Sequence, residues 1–191
     1  MRELSLDNFQ KEEELATFIP KPDVGFLVAQ PLYFEDSILG QYATSHHRGD
    51  ILDYAALAVE LGVLSPESAT KFFDAKHFIP GGIEFGIYPK DWLVQTLSKV
   101  ELVSRKFLQR FGNRVRNYDT YQVRAVGFLS ERLGSFLLLN HLVDQYSNTI
   151  PAEIFGYMTV ITEGSCGYSV AATDRSKGLF NLASIRQKRI Q

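Results

Sequence analysis

The sequence of 191 residues contains one cysteine, Cys166, so the chain cannot form an internal disulfide. It also lacks the cysteine and histidine spacings that are typical of metal sites. Both absences favour a reducing compartment, and we expect a cytoplasmic protein. No segment approaches the roughly 18 consecutive apolar residues of a membrane-spanning helix. The first residues are acidic and amphipathic, which does not fit a signal peptide.

Charge of one sign is not in excess either, since the formal net charge is −2. Binding to nucleic acid therefore has no global electrostatic support. The GxGxxG and GxxxxGK[ST] phosphate-binding loops are missing, as are the GxSxG serine-hydrolase turn and the HExxH zinc-protease motif. These absences remove support from nucleotide binding by a phosphate loop, from serine hydrolysis and from zinc proteolysis.

What the sequence does contain is enough apolar residues, 45% of the chain, for one domain spanning residues 1–191. Short apolar runs predict strands at 23–30, 83–89 and 155–162. Helical spacing predicts helices at about 5–18, 35–45, 50–61, 65–75, 91–111 and 119–144. Strands separated by helices indicate an α/β fold that is rich in helix and has a small sheet with few strands. The end of the chain is expected to be irregular.

Several helix ends are predicted from local capping chemistry. In Ser65-Pro66-Glu67 the serine can cap, the proline fits the first turn, and the glutamate suits the positive end of the helix dipole. Gly112 is predicted to end the helix that precedes it. Asn117 or Asp119 is expected to cap the next helix, and Gln122 stands three residues after Asp119 as in a capping box.

The helix predicted from residue 119 carries charged residues inside the apolar run YQVRAVGFLSERL. At about 100° per residue, one side collects polar or small residues: Thr120, Arg124, Gly127, Glu131 and Ser135. A buried charge is costly unless it is paired, so each charged group needs a partner or a ligand. One interpretation is a packed helix whose charged residues bond neighbouring loops. The other is a substrate cleft with Glu131 as a base or sugar-hydroxyl acceptor and Arg124 as an anion clamp.

His46 and Asp50 form a second candidate, four residues apart at the start of a predicted helix. They are compatible with a hydrogen-bonded pair, a ligand contact or one corner of a metal site, while the simpler alternative makes Asp50 the helix N-cap. Asp50 and Asp53 are a weak metal motif without a third ligand, so no metal ligand is assigned. Glu84 lies between glycines in a predicted strand, which marks either a sheet edge open to a ligand or a solvent-facing residue.

The run YQVRAVGFLSERL resembles the late segment of the DUF4422-type family of bacterial capsule and exopolysaccharide glycosyltransferases. That family typically shows Y-x-x-YQ-x-R-x-x-GFLSERL, which this chain matches from Tyr118 to Leu133. Upstream, DVGFLVAQPLYF and QYATSHHRGDIL resemble family segments in the same order, and Tyr42, His46 and Asp50 fall on the polar positions of the second. IEFGIYPKDW follows the pattern too, with Glu84-Phe85 in place of Asn-Met. The similarity covers roughly residues 20–142.

The resemblance implies a GT-A-like, Rossmann-like fold that takes a nucleotide sugar and a glycan acceptor. It implies that Glu131 is a general base or orients the acceptor hydroxyl. Arg124 and Arg132 would face phosphate or carboxylate groups. Further substrate contacts would come from Tyr42, His46, Asp50, Glu84 and Gln122. Mg²⁺ or Mn²⁺ bound with the donor is compatible with this chemistry.

The family's N-terminal half has no counterpart in this sequence. We therefore expect the acceptor-side portion of a glycosyltransferase, with a partner chain as one source of the missing half. The alternative is a non-catalytic sugar- or partner-binding module with a degenerate glycosyltransferase fold. A third hypothesis rests on the basic, partly irregular tail at 165–191, because residues 175–191 carry only positive charges, interleaved with apolar residues. The segment 174–191 suits peripheral contact with an anionic membrane, or it is simply a solvated or docked terminus.

Overall fold

The computed structural model describes residues 25–147, 149–158, 169–170 and 179–181. The helices in these ranges are α1 (Ile38–Ser45), α2 (Arg48–Glu60), α3 (Pro66–Asp74), α4 (Lys90–Arg116) and α5 (Ala125–Tyr146). The strands are β1 (Leu27–Ala29), β2 (Leu32–Tyr33), β3 (His77–Phe78), β4 (Gly86–Ile87), β5 (Thr149–Pro151), β6 (Phe155–Met158), β7 (Ser169–Val170) and β8 (Leu179–Asn181). Single 3-10 turns precede α5 at Gln122–Arg124 and precede β6 at Ala152–Ile154. This part of the chain is a helix-rich structure of mixed α and β elements, in line with the predicted class.

The strands form three small sheets. In the first, β1 lies in the centre and pairs antiparallel with β4 and parallel with β6, which makes the sheet mixed. In the second, β2 pairs antiparallel with β3 and β7, and in the third β5 pairs antiparallel with β8. Strands β7 and β8 lie where an irregular tail was expected, so that prediction was wrong for residues 169–170 and 179–181.

The core lies between the long helices α4 and α5, the helix α2 and the strand β1. Its fully buried side chains include Val28, Tyr54, Phe107, Leu133 and Leu142. Burial of such side chains stabilises the fold by about 1.5–3 kcal/mol each. Within the part of the chain that the structure describes, no helix combines the length and the apolar character needed to cross a bilayer.

The predicted helix start at Ser65 is confirmed, and Ser37 is a further capping serine that the sequence analysis did not name. Ser65 caps α3, since its hydroxyl accepts a hydrogen bond from the backbone N–H of Ser68 and Pro66 occupies the first turn. Ser37 caps α1 in the same way, accepting from the N–H of Gly40 at 3.1 Å. These contacts span three residues, so the residues themselves are sufficient to set them.

Two predicted boundaries near glycines were wrong. Helix α4 continues past Gly112 to Arg116, because Val115 is buried in the core and keeps the last turn packed. The strand predicted at 83–89 is reduced to β4. The residues before it form turns, with Gly81 and Gly82 at positive φ values of 78° and 54°. Left-handed backbone of this kind ends strand pairing and is accessible mainly to glycine.

Other predictions failed at helix starts. Helix α2 begins at Arg48 with His47 as its N-cap residue, so Asp50 is not the cap but lies in the first turn. Asp119 does accept from the N–H of Gln122 at 2.7 Å, yet the capping box is not completed. The side chain of Gln122 instead donates to the backbone oxygen of Ser45. The predicted helix at 5–18, the strand residues 159–162 and most of the segment 174–191 lie outside the described residues.

Candidate functional site

Five of the eight predicted site residues meet where the C-terminus of α1 packs against the start of α5. Together with two further aromatic residues they form what we call the aromatic–arginine surface: Tyr42, His46, Tyr121, Gln122, Arg124, Phe128 and Arg132. The ring of His46 is stacked against both neighbouring rings, with its centroid 4.3 Å from that of Phe128 and 5.6 Å from that of Tyr121. The sequence alone did not single out the stacking role of Phe128.

Gln122 holds the two parts of this surface together. Its amide nitrogen donates to the backbone oxygen of Ser45 at 2.6 Å, which ties the 3-10 turn to the end of α1. Its amide oxygen lies 3.2 Å from Nδ1 of His46, an arrangement in which Nδ1 carries the proton. Burial lowers the pKa of His46, and the positive charge of Arg132 acts in the same direction, while the bond to Gln122 opposes them. The neutral form of His46 is therefore favoured in the fold.

Arg132 lies beneath the surface with only 5% of its area exposed. Its guanidinium donates to the backbone oxygen of Phe128 at 2.8 Å and to the side-chain oxygen of Gln41 at 2.7 Å. The rings of Tyr42 and Phe78 lie 5.0 and 5.4 Å from its Cζ. Among the described residues no carboxylate is within ion-pair distance of Arg132, and its Nε has no hydrogen-bond partner. Burial lowers the pKa of Arg132, while the negative charge of Glu131 acts in the opposite direction without forming an ion pair with it.

The outer side of the surface is open. Tyr121 is 50% exposed, and Arg124 is exposed with its Cζ 5.3 Å from the ring of Phe128. Gly127 is exposed as well, and a Cβ built there would meet nothing within 4 Å. Exposed aromatic faces can stack on a sugar or a base, and a guanidinium can bind phosphate or carboxylate oxygens. The arrangement is suited to a ligand that has both a ring and a negative charge.

Glu131 lies where α5 contacts the segment 79–85, which we call the 79–85 loop and which contains Glu84. The Glu131 carboxylate accepts a hydrogen bond from the backbone N–H of Gly81 at 2.7 Å. Ser135, one turn further along, accepts from the N–H of Ile79 at 2.7 Å. Glu84 is exposed and receives a long hydrogen bond of 3.4 Å from the hydroxyl of Ser130. The predicted polar stripe therefore has two parts. Arg124 and Gly127 are exposed, whereas Glu131 and Ser135 accept hydrogen bonds from the 79–85 loop.

Asp50 belongs to a separate cluster. It is 1% exposed and accepts from Arg114 at 2.6 Å and from the hydroxyl of Tyr118 at 3.1 Å. Arg114 also donates to Asp53 at 2.8 Å. The structure shows no hydrogen bond between Asp50 and His46, since His46 bonds Gln122 instead. In the described ranges, no three or more histidine, cysteine, aspartate or glutamate side chains are grouped to hold a metal ion.

Sequence reasoning missed Arg114. The signal was present in the helical spacing, because Arg114 follows Phe111 and Phe107 by three and seven residues and so lies on the apolar side of α4. Its Cζ lies 4.5 Å from the centre of the Phe111 ring. A cation on the packed side of a helix indicates a buried carboxylate partner.

Comparison with known proteins gave no relative: no family model, no curated protein and no solved structure matches this chain. Its function is therefore argued from the geometry of its own residues. The aromatic–arginine surface lies at the start of α5, and the carboxylates of Glu131 and Glu84 lie where the first turns of α5 contact the 79–85 loop.

Proposed function

We propose that the chain is a glycosyltransferase, or the acceptor-side portion of one, that uses a nucleotide-sugar donor in capsule or exopolysaccharide synthesis. The observation that carries this proposal is the aromatic–arginine surface, where Tyr42, His46, Gln122, Arg124 and Arg132 come together. In this proposal the helices and the small mixed sheet are part of a GT-A-like, Rossmann-like fold.

The chemistry of the surface supports a nucleotide-sugar ligand. The open face of the Tyr121 ring offers a stacking platform for a base or a sugar, and Arg124 offers donors to diphosphate oxygens. The charge of Arg132 adds positive potential from below. Such potential would stabilise the negative charge that develops on a departing diphosphate.

The proposed reaction is a displacement at the anomeric carbon of the donor sugar. The acceptor hydroxyl oxygen bonds to that carbon while the bond from the carbon to the diphosphate oxygen breaks. The nucleoside diphosphate leaves with the electron pair, and a carboxylate takes the hydroxyl proton.

One observation favours the alternative of a non-catalytic sugar-binding module. The carboxylate of Glu131, the predicted base, already accepts a hydrogen bond from the backbone of Gly81. Both functions require donor or glycan binding, but only the first requires transfer. A donor that binds and is neither transferred nor hydrolysed would favour the binding module.

Calorimetric titration with UDP-, GDP- and ADP-linked sugars tests the proposal. We expect at least one donor to bind, and we expect Arg124→Gln to weaken that binding by about 10- to 100-fold through loss of a charge-assisted hydrogen bond. Arg110→Gln is the matched control, because Arg110 is an exposed arginine on α4 that pairs with Glu60. It should leave the affinity unchanged. If none of the donors binds, or if both variants weaken binding equally, the proposal fails.

A further inference from the structure

The 79–85 loop is attached to α5 by two hydrogen bonds of 2.7 Å. The carboxylate of Glu131 accepts from the backbone N–H of Gly81, and the hydroxyl of the fully buried Ser135 accepts from the N–H of Ile79. Backbone donors that are removed from water need a partner, so these two side chains satisfy groups that the loop itself leaves unpaired. The distance between the two anchors is one helical turn, which fixes the direction of the loop along α5.

The loop also lies in direct contact with the helix backbone. Gly82 has a φ of 54°, and a Cβ built on it would come within 2.5 Å of the Glu131 backbone oxygen. A Cβ on Gly134 would come within 3.0 Å of a side-chain atom of Ile83. Neither glycine can gain a side chain without moving the loop. The 79–85 loop is therefore held at a fixed position along α5.

Hydrogen bonds within the loop determine which side chains face outward. The N–H of Glu84 donates to the backbone oxygen of Gly81 at 2.8 Å, and the hydroxyl of Tyr88 lies 3.2 Å from the oxygens of both Gly82 and Phe85. The Glu84 side chain is exposed, and Phe85 is 52% exposed. The loop thus presents a carboxylate and a phenyl ring side by side.

This pair matches the chemistry of a sugar. A carboxylate accepts hydrogen bonds from hydroxyl groups, and an aromatic ring packs against the C–H face of a pyranose. The contact of Glu84 with Ser130 is long, at 3.4 Å, which leaves the carboxylate with capacity to accept further hydrogen bonds. The single hydroxyl hydrogen of Ser130 has a second, closer acceptor at 3.0 Å in the backbone oxygen of Gly127, the exposed glycine that borders the aromatic–arginine surface.

We propose that Glu131 is a positioning residue that holds the 79–85 loop, and that Glu84 and Phe85 on this loop form the acceptor-sugar subsite. This inference rests on the proposed glycosyltransferase function. The donor lies on the aromatic–arginine surface, the acceptor sugar stacks on Phe85, and the open space over Gly127 joins the two. Glu84 takes the proton of the acceptor hydroxyl as its oxygen bonds to the anomeric carbon, and the nucleoside diphosphate leaves with the electron pair.

The positioning role is tested without any ligand, by amide hydrogen exchange. Glu131→Ala removes the acceptor of the Gly81 N–H. We expect this N–H to exchange at least about 10-fold faster, which corresponds to the loss of about 1.4 kcal/mol of protection by the charged hydrogen bond. Glu131→Gln keeps an oxygen that can accept, and exchange should stay within about 3-fold. Ser130→Ala, which touches Glu84 but no loop N–H, is the control. Unchanged exchange in Glu131→Ala would overturn the positioning role.

A second variant protects this test against misfolding. Glu131→Asp shortens the side chain by one methylene, so its carboxylate no longer reaches the N–H of Gly81. Where Glu131→Ala does not fold, Glu131→Asp should show the faster exchange. Exchange at the wild-type rate in a folded Glu131→Asp protein would contradict the inference equally.

The acceptor subsite is tested with the donor that calorimetry identifies. We expect Glu84→Gln to lower the transfer rate by about 10²–10⁴-fold and Phe85→Ala to raise the KM for the acceptor more than it lowers kcat. Glu131→Gln should retain transfer within about 3-fold. A large loss in Glu131→Gln together with full activity in Glu84→Gln would reverse the assignment. If no donor binds the wild type, the proposed function and the subsite both fail, and the exchange data alone decide whether Glu131 holds the loop.

Discussion

Two arginines, Arg114 on α4 and Arg132 on α5, pack against aromatic rings in opposite electrostatic settings. Arg114 lies over Phe111 and forms ion pairs with Asp50 at 2.6 Å and Asp53 at 2.8 Å. Arg132 lies over Tyr42 and Phe78, and its described hydrogen-bond acceptors are a backbone oxygen and an amide oxygen, both neutral. Both guanidinium groups contact aromatic rings, but Arg114 forms ion pairs with two carboxylates and Arg132 forms none with a described carboxylate.

This difference separates a structural arginine from a functional candidate. The charge of Arg114 is balanced by the two carboxylates on α2, so Arg114 ties α4 to α2. Arg132 forms no ion pair with a described carboxylate, although the charge of Glu131 acts on it from a longer distance, and it lies beneath the open aromatic–arginine surface. A buried cation without an ion-pair partner is unfavourable for the empty protein and favourable for an anionic ligand.

Removing Asp50 should produce the largest loss of stability. Asp50→Ala leaves Arg114 with one carboxylate partner and Tyr118 without its acceptor. We expect a decrease of about 2–3 kcal/mol in the free energy of unfolding, below the full cost of breaking a buried pair because Arg114 is 38% exposed. Urea denaturation measures the change. Glu60→Ala, which breaks an exposed pair with Arg110, should cost much less because solvent screens that pair. If Asp50→Ala and Glu60→Ala lower the free energy of unfolding equally, the buried pair is no more important to stability than the exposed one.

The second-largest effect is expected at acid pH, where protonation of His77 near Arg132 should lower the free energy of unfolding. His77 precedes Phe78, which covers Arg132, and burial lowers the pKa of His77 to about 4. The unfolded chain binds this proton near pH 6.5, so stability is complete above pH 6.5 and falls as the pH drops towards 4. We expect His77→Phe to reduce the loss between pH 6.5 and 4.5 by about 2 kcal/mol, as measured by urea denaturation at both values. If the wild type and His77→Phe lose the same stability between pH 6.5 and 4.5, protonation of His77 is not the cause.

Replacing Arg132 should have the smallest effect. Arg132→Met keeps an unbranched side chain between the two rings and leaves no described carboxylate without its partner. We expect a change of less than about 1 kcal/mol in the free energy of unfolding. Arg114→Met should cost more, because it leaves the buried Asp50 with only Tyr118. Thermal and urea denaturation of the two variants give the comparison, and an Arg132→Met cost equal to that of Arg114→Met would contradict it.

Parts of the fold that depend on a few neighbouring residues were predictable. The start of α3 followed from Ser65, Pro66 and Glu67, whose capping contacts span three residues. The end of α4 did not, because the packing of Val115 in the core outweighs the tendency of Gly112 to end a helix. In such cases tertiary contacts determine where the helix ends, and the local sequence pattern does not predict those contacts.

The candidate site shows the same division. The spacing of the polar stripe predicted Arg124 and Glu131 on one helix, but Arg124 lies in the 3-10 turn before α5 and only Glu131 lies in the helix. One interpretation of the stripe expected loop contacts, as Glu131 makes with Gly81. The partner of Asp50 could not be read from the sequence, since Arg114 is 64 residues away. Gln122 was expected to complete a local capping box but reaches across to Ser45, 77 residues away.

The most direct test of a ligand at the aromatic–arginine surface is NMR of the arginine side-chain N–H groups during titration with UDP-, GDP- and ADP-linked sugars. Arg114 serves as the internal control, because its guanidinium is engaged by Asp50 and Asp53 away from the surface. We expect one donor to shift the Arg124 and Arg132 signals together and to leave the Arg114 signal in place. If saturating concentrations of every donor leave Arg124 and Arg132 unchanged, or shift Arg114 equally, the surface is not the nucleotide-sugar site.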